Sequence, residues 1–142
     1  MGNLLYEEIT YKIRRACFNV YNQLGGLLKE NIIERALVIE LKKQGLTVET
    51  RLPIDVYYEG EKVGTYIPDA VINRCIIVEL KAKQYLTQQD NQQALHYLYG
   101  TNYKLVLLIN FGPKLEIRRF VFDEKRTNIY LRNPRSNPRN QK

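Results

Sequence analysis

An aspartate, a glutamate and a lysine are spaced so that one short hairpin would bring them together. Asp69 lies near the start of one apolar run, Glu79 and Lys81 lie near the end of the next, and only Asn73 and Arg74 separate the two runs. This spacing predicts a tight antiparallel hairpin whose open ends lie side by side. The three charged side chains are therefore expected to converge at one end of a sheet.

The two runs, 67–72 and 75–82, are rich in β-branched residues. Side chains alternate along a strand, so Glu79 and Lys81 share one face, and the continuous apolar stretch 75–78 predicts a strand covered on both sides. Converging carboxylates repel each other unless they share a cation or a proton, and hard oxygen ligands select Mg²⁺ or Mn²⁺. We expect a site that hydrolyses a phosphodiester. The alternative is a solvated strand end that carries an ion pair.

Composition limits the class of protein. The chain has 142 residues, which suits one domain, and its formal charge of +7 with a pI of about 9.4 favours a polyanionic partner. Two cysteines, Cys17 and Cys75, and one histidine cannot supply the ligands of an iron–sulfur cluster or a structural zinc site. The sequence shows neither an apolar run of about 18 residues nor a signal peptide, so we expect a cytoplasmic protein that does not enter a membrane.

Periodicity predicts the order of the remaining elements. The expected order is helices at 4–24 and 29–44, β-rich residues at 47–58, the hairpin, a helix at 88–99, and strands at 104–110 and 116–122. Pro53 suggests an edge or a bulge, and Thr87 with Asp90 resembles a capping box. Because the strand at 104–110 follows a strand and a helix, it should lie parallel to the strand of Glu79 through a right-handed crossover.

The acidic motif resembles that of a known nuclease superfamily. Pro68-Asp69, followed by nine residues and then Glu79-Leu80-Lys81, is similar to the signature of the PD-(D/E)XK nucleases. The resemblance implies an α/β fold with a restriction-endonuclease-like core, in which helices flank a central mixed β-sheet of about four to six strands.

Two helices extend this resemblance. The stretch 34–45 resembles the first helix of archaeal junction resolvases, in which a glutamate approaches the metal site; this implies a role for Glu34, and Glu30 lies one turn before it. Gln93 and Tyr97 resemble the Gln-x-x-x-Tyr motif of exonuclease-type members. The alternatives are that both glutamates are surface residues balancing neighbouring basic side chains, and that the second motif is a polar helix face with one aromatic residue packed inward.

Among the subgroups of the superfamily, the bacterial GxxExxY proteins are the closest match. The likeness lies at 24–37, 77–82, 86–87, 93–98 and 107–111. Leu27 and Ile33 stand where that group has its glycine and tyrosine, so a role tied to that tyrosine is not carried over. The resemblance implies one nuclease-like domain over residues 1–122, and residues 123–142 form a basic tail that is predicted to be partly disordered.

The implied activity is a Mg²⁺-dependent (or Mn²⁺-dependent) deoxyribonuclease in which a metal-activated water attacks the phosphodiester. The expected metal ligands are Asp69, Glu79, the backbone carbonyl of Leu80 and Glu34. The expected catalytic residues are Glu34, Asp69, Glu79, Lys81 and Gln93, with Lys81 orienting or deprotonating the water or neutralising developing charge. The expected contacts to nucleic acid are Gln93, Tyr97, Arg35 and Lys83.

The sequence is also compatible with two other classes of function. A nucleic-acid-binding module on the same fold, with hydrolysis lost, would agree with the basic tail and with the two departures at Leu27 and Ile33. A structural or partner-binding protein would bind neither metal nor DNA. A homodimer is a further expectation, because small nucleases of this superfamily often pair to cut both strands.

Overall fold

A computed structural model describes residues 5–122, so the predicted basic tail at 123–142 lies outside the described residues. The helices are α1 (Glu7–Leu24), α2 (Glu30–Lys43) and α3 (Gln88–Gly100), and the strands are β1 (Val48–Thr50), β2 (Ile54–Tyr58), β3 (Glu61–Tyr66), β4 (Ala70–Ile72), β5 (Ile76–Lys81), β6 (Leu105–Phe111) and β7 (Leu115–Val121). Across residues 5–122, no helix combines the length and the apolar character needed to cross a membrane.

Five strands form one mixed sheet in the order β1-β4-β5-β6-β7. β5 and β6 are parallel, α3 connects them, and the other neighbouring pairs are antiparallel. The predicted parallel pairing of these two strands is therefore confirmed, as is an α/β fold with a restriction-endonuclease-like core. β5 and β6 lie in the interior of the sheet and are buried along almost their whole length, which explains their continuous apolar sequences.

β4 and β5 form the hairpin that the sequence predicts. Ala70 lies opposite Val78 in an antiparallel register. Asn73 and Arg74 in the turn both have positive φ values, 51° and 55°, as primed hairpin turns require. The hairpin thus brings the residue before β4 next to the end of β5.

The sheet separates two apolar layers. Val78 and Leu80 point to the side covered by α1 and α2, whereas Ile77 packs with Tyr97 and other residues of α3. Each fully buried aliphatic side chain of this kind contributes about 1.5–3 kcal/mol. Because side chains alternate along β5, Glu79 lies on the same face as Ile77, towards α3.

The β-rich region at 47–58 is divided by a change of direction at residues 51–53. Arg51 has a positive φ of 55°, and Pro53 follows it two residues later. β1 therefore joins the edge of the main sheet beside β4, while β2 pairs with β3 in a separate two-stranded sheet. Alternation alone did not predict this separate hairpin, because both parts of the region have the same β-type pattern.

Candidate active site

Asp69 and Glu79 are fixed side by side through each other's backbone. The Asp69 N–H donates a hydrogen bond of 2.8 Å to Glu79 Oε1, and the Leu80 N–H donates one of 2.8 Å to Asp69 Oδ2. Each of these bonds uses one carboxylate oxygen. The hairpin therefore holds the two acids in a defined orientation, as the motif predicts for one end of the sheet.

The backbone carbonyl of Leu80 lies on the same side of β5 as Asp69. In an antiparallel pair the N–H and C=O of one residue point in the same direction, and the Leu80 N–H points to Asp69. Extending the register of Ala70 and Val78 by two residues places Leu80 opposite Pro68, which has no N–H to donate. Proline at this position thus leaves the Leu80 carbonyl outside the β4–β5 ladder.

Burial makes the charge on Glu79 costly. Glu79 is only 4% exposed. Burial, followed by the negative charge of Asp69, raises the pKa of Glu79 from 4.5 to about 7, although the Asp69 N–H, the charge of Lys81 and the Tyr97 hydroxyl act in the opposite direction. A cation bound between the two carboxylates would relieve this cost.

The donor set fits a hard divalent cation. Within residues 5–122 no three His, Cys, Asp or Glu side chains gather closely enough to hold a metal ion by themselves. Mg²⁺, however, is usually held by one or two carboxylates together with water and substrate phosphate oxygens. The site offers three oxygen donors of that type: the carboxylate of Asp69, which directly precedes β4, and the carboxylate of Glu79 and the backbone carbonyl of Leu80, which lie on β5.

Lys81, two residues after Glu79 on the same face of β5, reaches an acid of α3. Its Nζ is 3.9 Å from Asp90 Oδ1, and Lys83 Nζ donates to Asp90 Oδ2 at 2.9 Å. Burial opposes the charge of Asp90, but hydrogen bonds from Lys83 and Thr87 outweigh it and lower the pKa of Asp90. The sequence predicts only the capping-box role of Asp90, and the capping box is present. It does not predict the contacts of Asp90 with the two lysines.

Gln93 and Tyr97 reach the acidic pair from α3. The Tyr97 hydroxyl hydrogen-bonds the Glu79 carboxylate, and the Gln93 side chain hydrogen-bonds that hydroxyl. Burial and the charges of Glu79 and Asp69 raise the pKa of Tyr97, so the phenol remains neutral. Because Tyr97 is 5% exposed and packs edge-on against Tyr66, its contact in this structure is with Glu79; a direct contact with nucleic acid stays a prediction.

The two glutamates of α2 differ in their partners. Glu34 forms a two-pronged ion pair with Arg51, with distances of 3.0 Å to Nη1 and 3.1 Å to Nη2. Glu30 is exposed as a residue, yet partial loss of hydration raises its pKa, with Lys81 opposing the rise and Asp69 adding to it. Glu30 therefore lies within electrostatic range of Lys81 and Asp69. A role for Glu34 as a metal ligand stays a prediction and would require its pair with Arg51 to open.

Lys83 and Arg35, the two remaining predicted contacts to nucleic acid, differ in how they are placed relative to the acidic pair. Lys83 follows β5 and is fixed by Asn110, whose side-chain amide exchanges two hydrogen bonds of 3.0 Å with the Lys83 backbone. Arg35 is exposed on α2, about 100° around the helix from Glu34. The structure therefore brings Lys83 to the site through Asp90, while Arg35 lies on another side of its helix.

Comparison with known proteins identifies the superfamily of the chain. The family model of the PD-(D/E)XK nuclease superfamily matches residues 7–120. The chain belongs to this superfamily, whose members are nucleases that typically use divalent metal ions and act on nucleic acid. No curated protein matches the chain, and no solved structure matches it.

Proposed function

We propose that this protein is a deoxyribonuclease that depends on Mg²⁺ or Mn²⁺. Asp69, Glu79 and the Leu80 carbonyl would hold the ion. When bound, the ion would polarise the scissile phosphate and lower the pKa of a water molecule. The observation that carries the proposal is the reciprocal bonding of Asp69 and Glu79, which holds a buried acid next to a second carboxylate.

The other side chains support this centre in separate ways. Lys81 places a positive charge beside the two acids, where it would orient or deprotonate the attacking water or stabilise charge on the phosphate. Tyr97 and Gln93 hold the Glu79 carboxylate in position through the phenol. Lys83, paired with Asp90 and 39% exposed, would contact a phosphate of the DNA backbone.

The proposal is tested by cleavage of labelled single-stranded and duplex DNA with and without Mg²⁺. Asp69→Ala, Glu79→Ala and Lys81→Ala should each reduce cleavage by at least about 100-fold while the proteins remain folded. Asp55→Asn is a matched control, because Asp55 is an exposed acid of β2 that pairs with Lys62. Equal cleavage by the parent and all three site variants would assign the activity to a contaminant or to another site.

A non-catalytic nucleic-acid-binding module is the second candidate. It is favoured by the basic composition of residues 123–142 and by the departures from the GxxExxY motif at Leu27 and Ile33. It predicts DNA binding in EDTA that does not change with Mg²⁺, and no heat of Mg²⁺ binding in calorimetry. Heat of binding that is lost in Asp69→Ala would exclude it.

Three finer predictions accompany the proposal. Membership of the GxxExxY group stays a prediction from the motifs, with Leu27 and Ile33 as its departures.

We propose that residues 1–122 act as one nuclease domain, and limited proteolysis would test this. We also propose that two copies pair to cut both strands, and sedimentation of the protein with and without DNA would test that arrangement.

A further inference from the structure

Arg51 lies beside the acidic pair, although its sequence context gave no sign of this. Its backbone N–H donates a hydrogen bond of 3.2 Å to the Asp69 carbonyl. The Glu34 carboxylate makes the largest contribution to raising the pKa of Arg51, and the negative charges of Asp69 and Glu79 raise it further. The backbone hydrogen bond therefore fixes Arg51 next to Asp69, the first acid of the proposed metal site.

Glu34 fixes the orientation of this guanidinium. Both carboxylate oxygens are used, one on Nη1 and one on Nη2. The Glu34 side chain is 15% exposed, whereas that of Arg51 is 57% exposed. A guanidinium has five N–H donors, and this pair uses two of them. Glu34 is thus the mostly buried partner of the pair, and the guanidinium of Arg51 is the partner that remains open to solvent.

The backbone of Arg51 is in a conformation that favours glycine. Its φ of 55° lies in the left-handed region, where a side chain adds strain. Glycine would satisfy the turn between β1 and β2 at lower conformational cost. An arginine at this position is therefore better explained by what its side chain binds than by what its backbone needs.

We propose that Arg51 binds a phosphate oxygen of the nucleic acid beside the metal site, and that Glu34 is a positioning residue acting through Arg51. This inference rests on the proposed nuclease function. A guanidinium held in one plane matches the geometry of a phosphate and can donate two parallel hydrogen bonds. A fixed positive charge at that point would also stabilise the charge that develops on the scissile phosphate.

The first test measures DNA binding without catalysis. Anisotropy of a short fluorescent DNA duplex is recorded in EDTA at several salt concentrations. Arg51→Gly keeps the left-handed backbone and should bind more weakly, with the salt slope reduced by about one. Arg51→Lys keeps the charge but not the two-pronged geometry and should fall in between. Arg74→Ala, which removes an exposed cation in the β4–β5 turn, is the matched control and should retain the parent salt slope.

The second test separates Arg51 from the metal ligands. Arg51→Gly should lower kcat/KM by about 100-fold, and Glu34→Gln by about 10-fold, while both retain the Mn²⁺ affinity of the parent in calorimetry. Parent-like DNA binding and cleavage by Arg51→Gly would overturn the inference. So would loss of Mn²⁺ binding in Glu34→Gln alone, because it would identify Glu34 as a metal ligand.

Asp69→Ala distinguishes this inference from the proposed function. If Asp69→Ala is inactive but Arg51→Gly is fully active, the nuclease proposal stands and the inference about Arg51 is wrong. If Asp69→Ala cleaves as the parent does, the proposed function is wrong. The binding measurement in EDTA still decides whether Arg51 contacts phosphate, because it does not require cleavage.

Discussion

Replacing Glu79 with glutamine should make the metal-free protein more stable while abolishing its activity. The pKa of Glu79 is raised from 4.5 to about 7, so between these values the folded protein holds a proton that the unfolded chain releases. Stability contributed by this proton is fully present below about pH 4.5 and is lost as the pH rises through about 7. Above pH 7, folding therefore bears the whole cost of the buried charge.

The size of this cost follows from the pKa. The difference between 4.5 and about 7, at about 1.36 kcal/mol for each pH unit, corresponds to at most about 3 kcal/mol. Glutamine has nearly the same shape and can still accept the Asp69 N–H. Glu79→Gln should therefore gain about 1–3 kcal/mol relative to the parent at pH 8, and this gain should shrink towards pH 5.

Urea unfolding in EDTA at pH 5 and pH 8 measures this difference directly. Asp55→Asn is the matched control, and its stability relative to the parent should not show the same dependence on pH. Adding Mg²⁺ at pH 8 should stabilise the parent, because a ligand that binds only the folded state shifts the unfolding equilibrium. Glu79→Gln lacks one of the two proposed carboxylate ligands and should not be stabilised. A Glu79→Gln protein that is less stable than the parent at pH 8, or equally stabilised at both pH values, would refute the reasoning.

Three further substitutions or conditions test other contacts. Asp90→Asn should slow cleavage about tenfold or more because it releases Lys81, and the Mn²⁺ affinity measured by calorimetry should not change. The weakened helix cap should also lower the free energy of unfolding by about 1 kcal/mol. An unchanged kcat would contradict this role of Asp90. Tyr97→Phe removes a hydrogen bond to ionised Glu79, so the pH–rate profile should shift to higher pH, and an unchanged profile would contradict that role. Mn²⁺ affinity should fall about tenfold between pH 8 and pH 6, because a proton must leave Glu79; equal affinity at both values would show that no such proton is displaced.

The central pair was predictable because its position depends on local rules. Alternation along a strand places Glu79 and Lys81 on one face, and a two-residue turn signal at Asn73 and Arg74 sets the hairpin that returns to Asp69. These features need no knowledge of distant parts of the chain. The parallel β5–β6 pair follows similarly from the strand, helix and strand order.

The partners of the pair were less predictable because they depend on how elements dock. Helical periodicity places Glu30 and Glu34 on the same side of α2, but only the position of the helix relative to Arg51 gives Glu34 its ion pair. Arg51 itself lies in a change of direction between two strands, which alternation does not reveal. Asp90 has a complete local explanation as a cap, so its contact with Lys81 left no separate signal in the sequence.

The most direct measurement is the anomalous diffraction of crystals soaked in Mn²⁺. We expect one strong peak bounded by the Asp69 and Glu79 carboxylates and the Leu80 carbonyl. The same soak of Glu79→Gln crystals should show this peak weakened or lost. The absence of a peak between Asp69 and Glu79 in the parent, under conditions in which the protein cleaves DNA, would show that these two acids do not hold the catalytic metal ion.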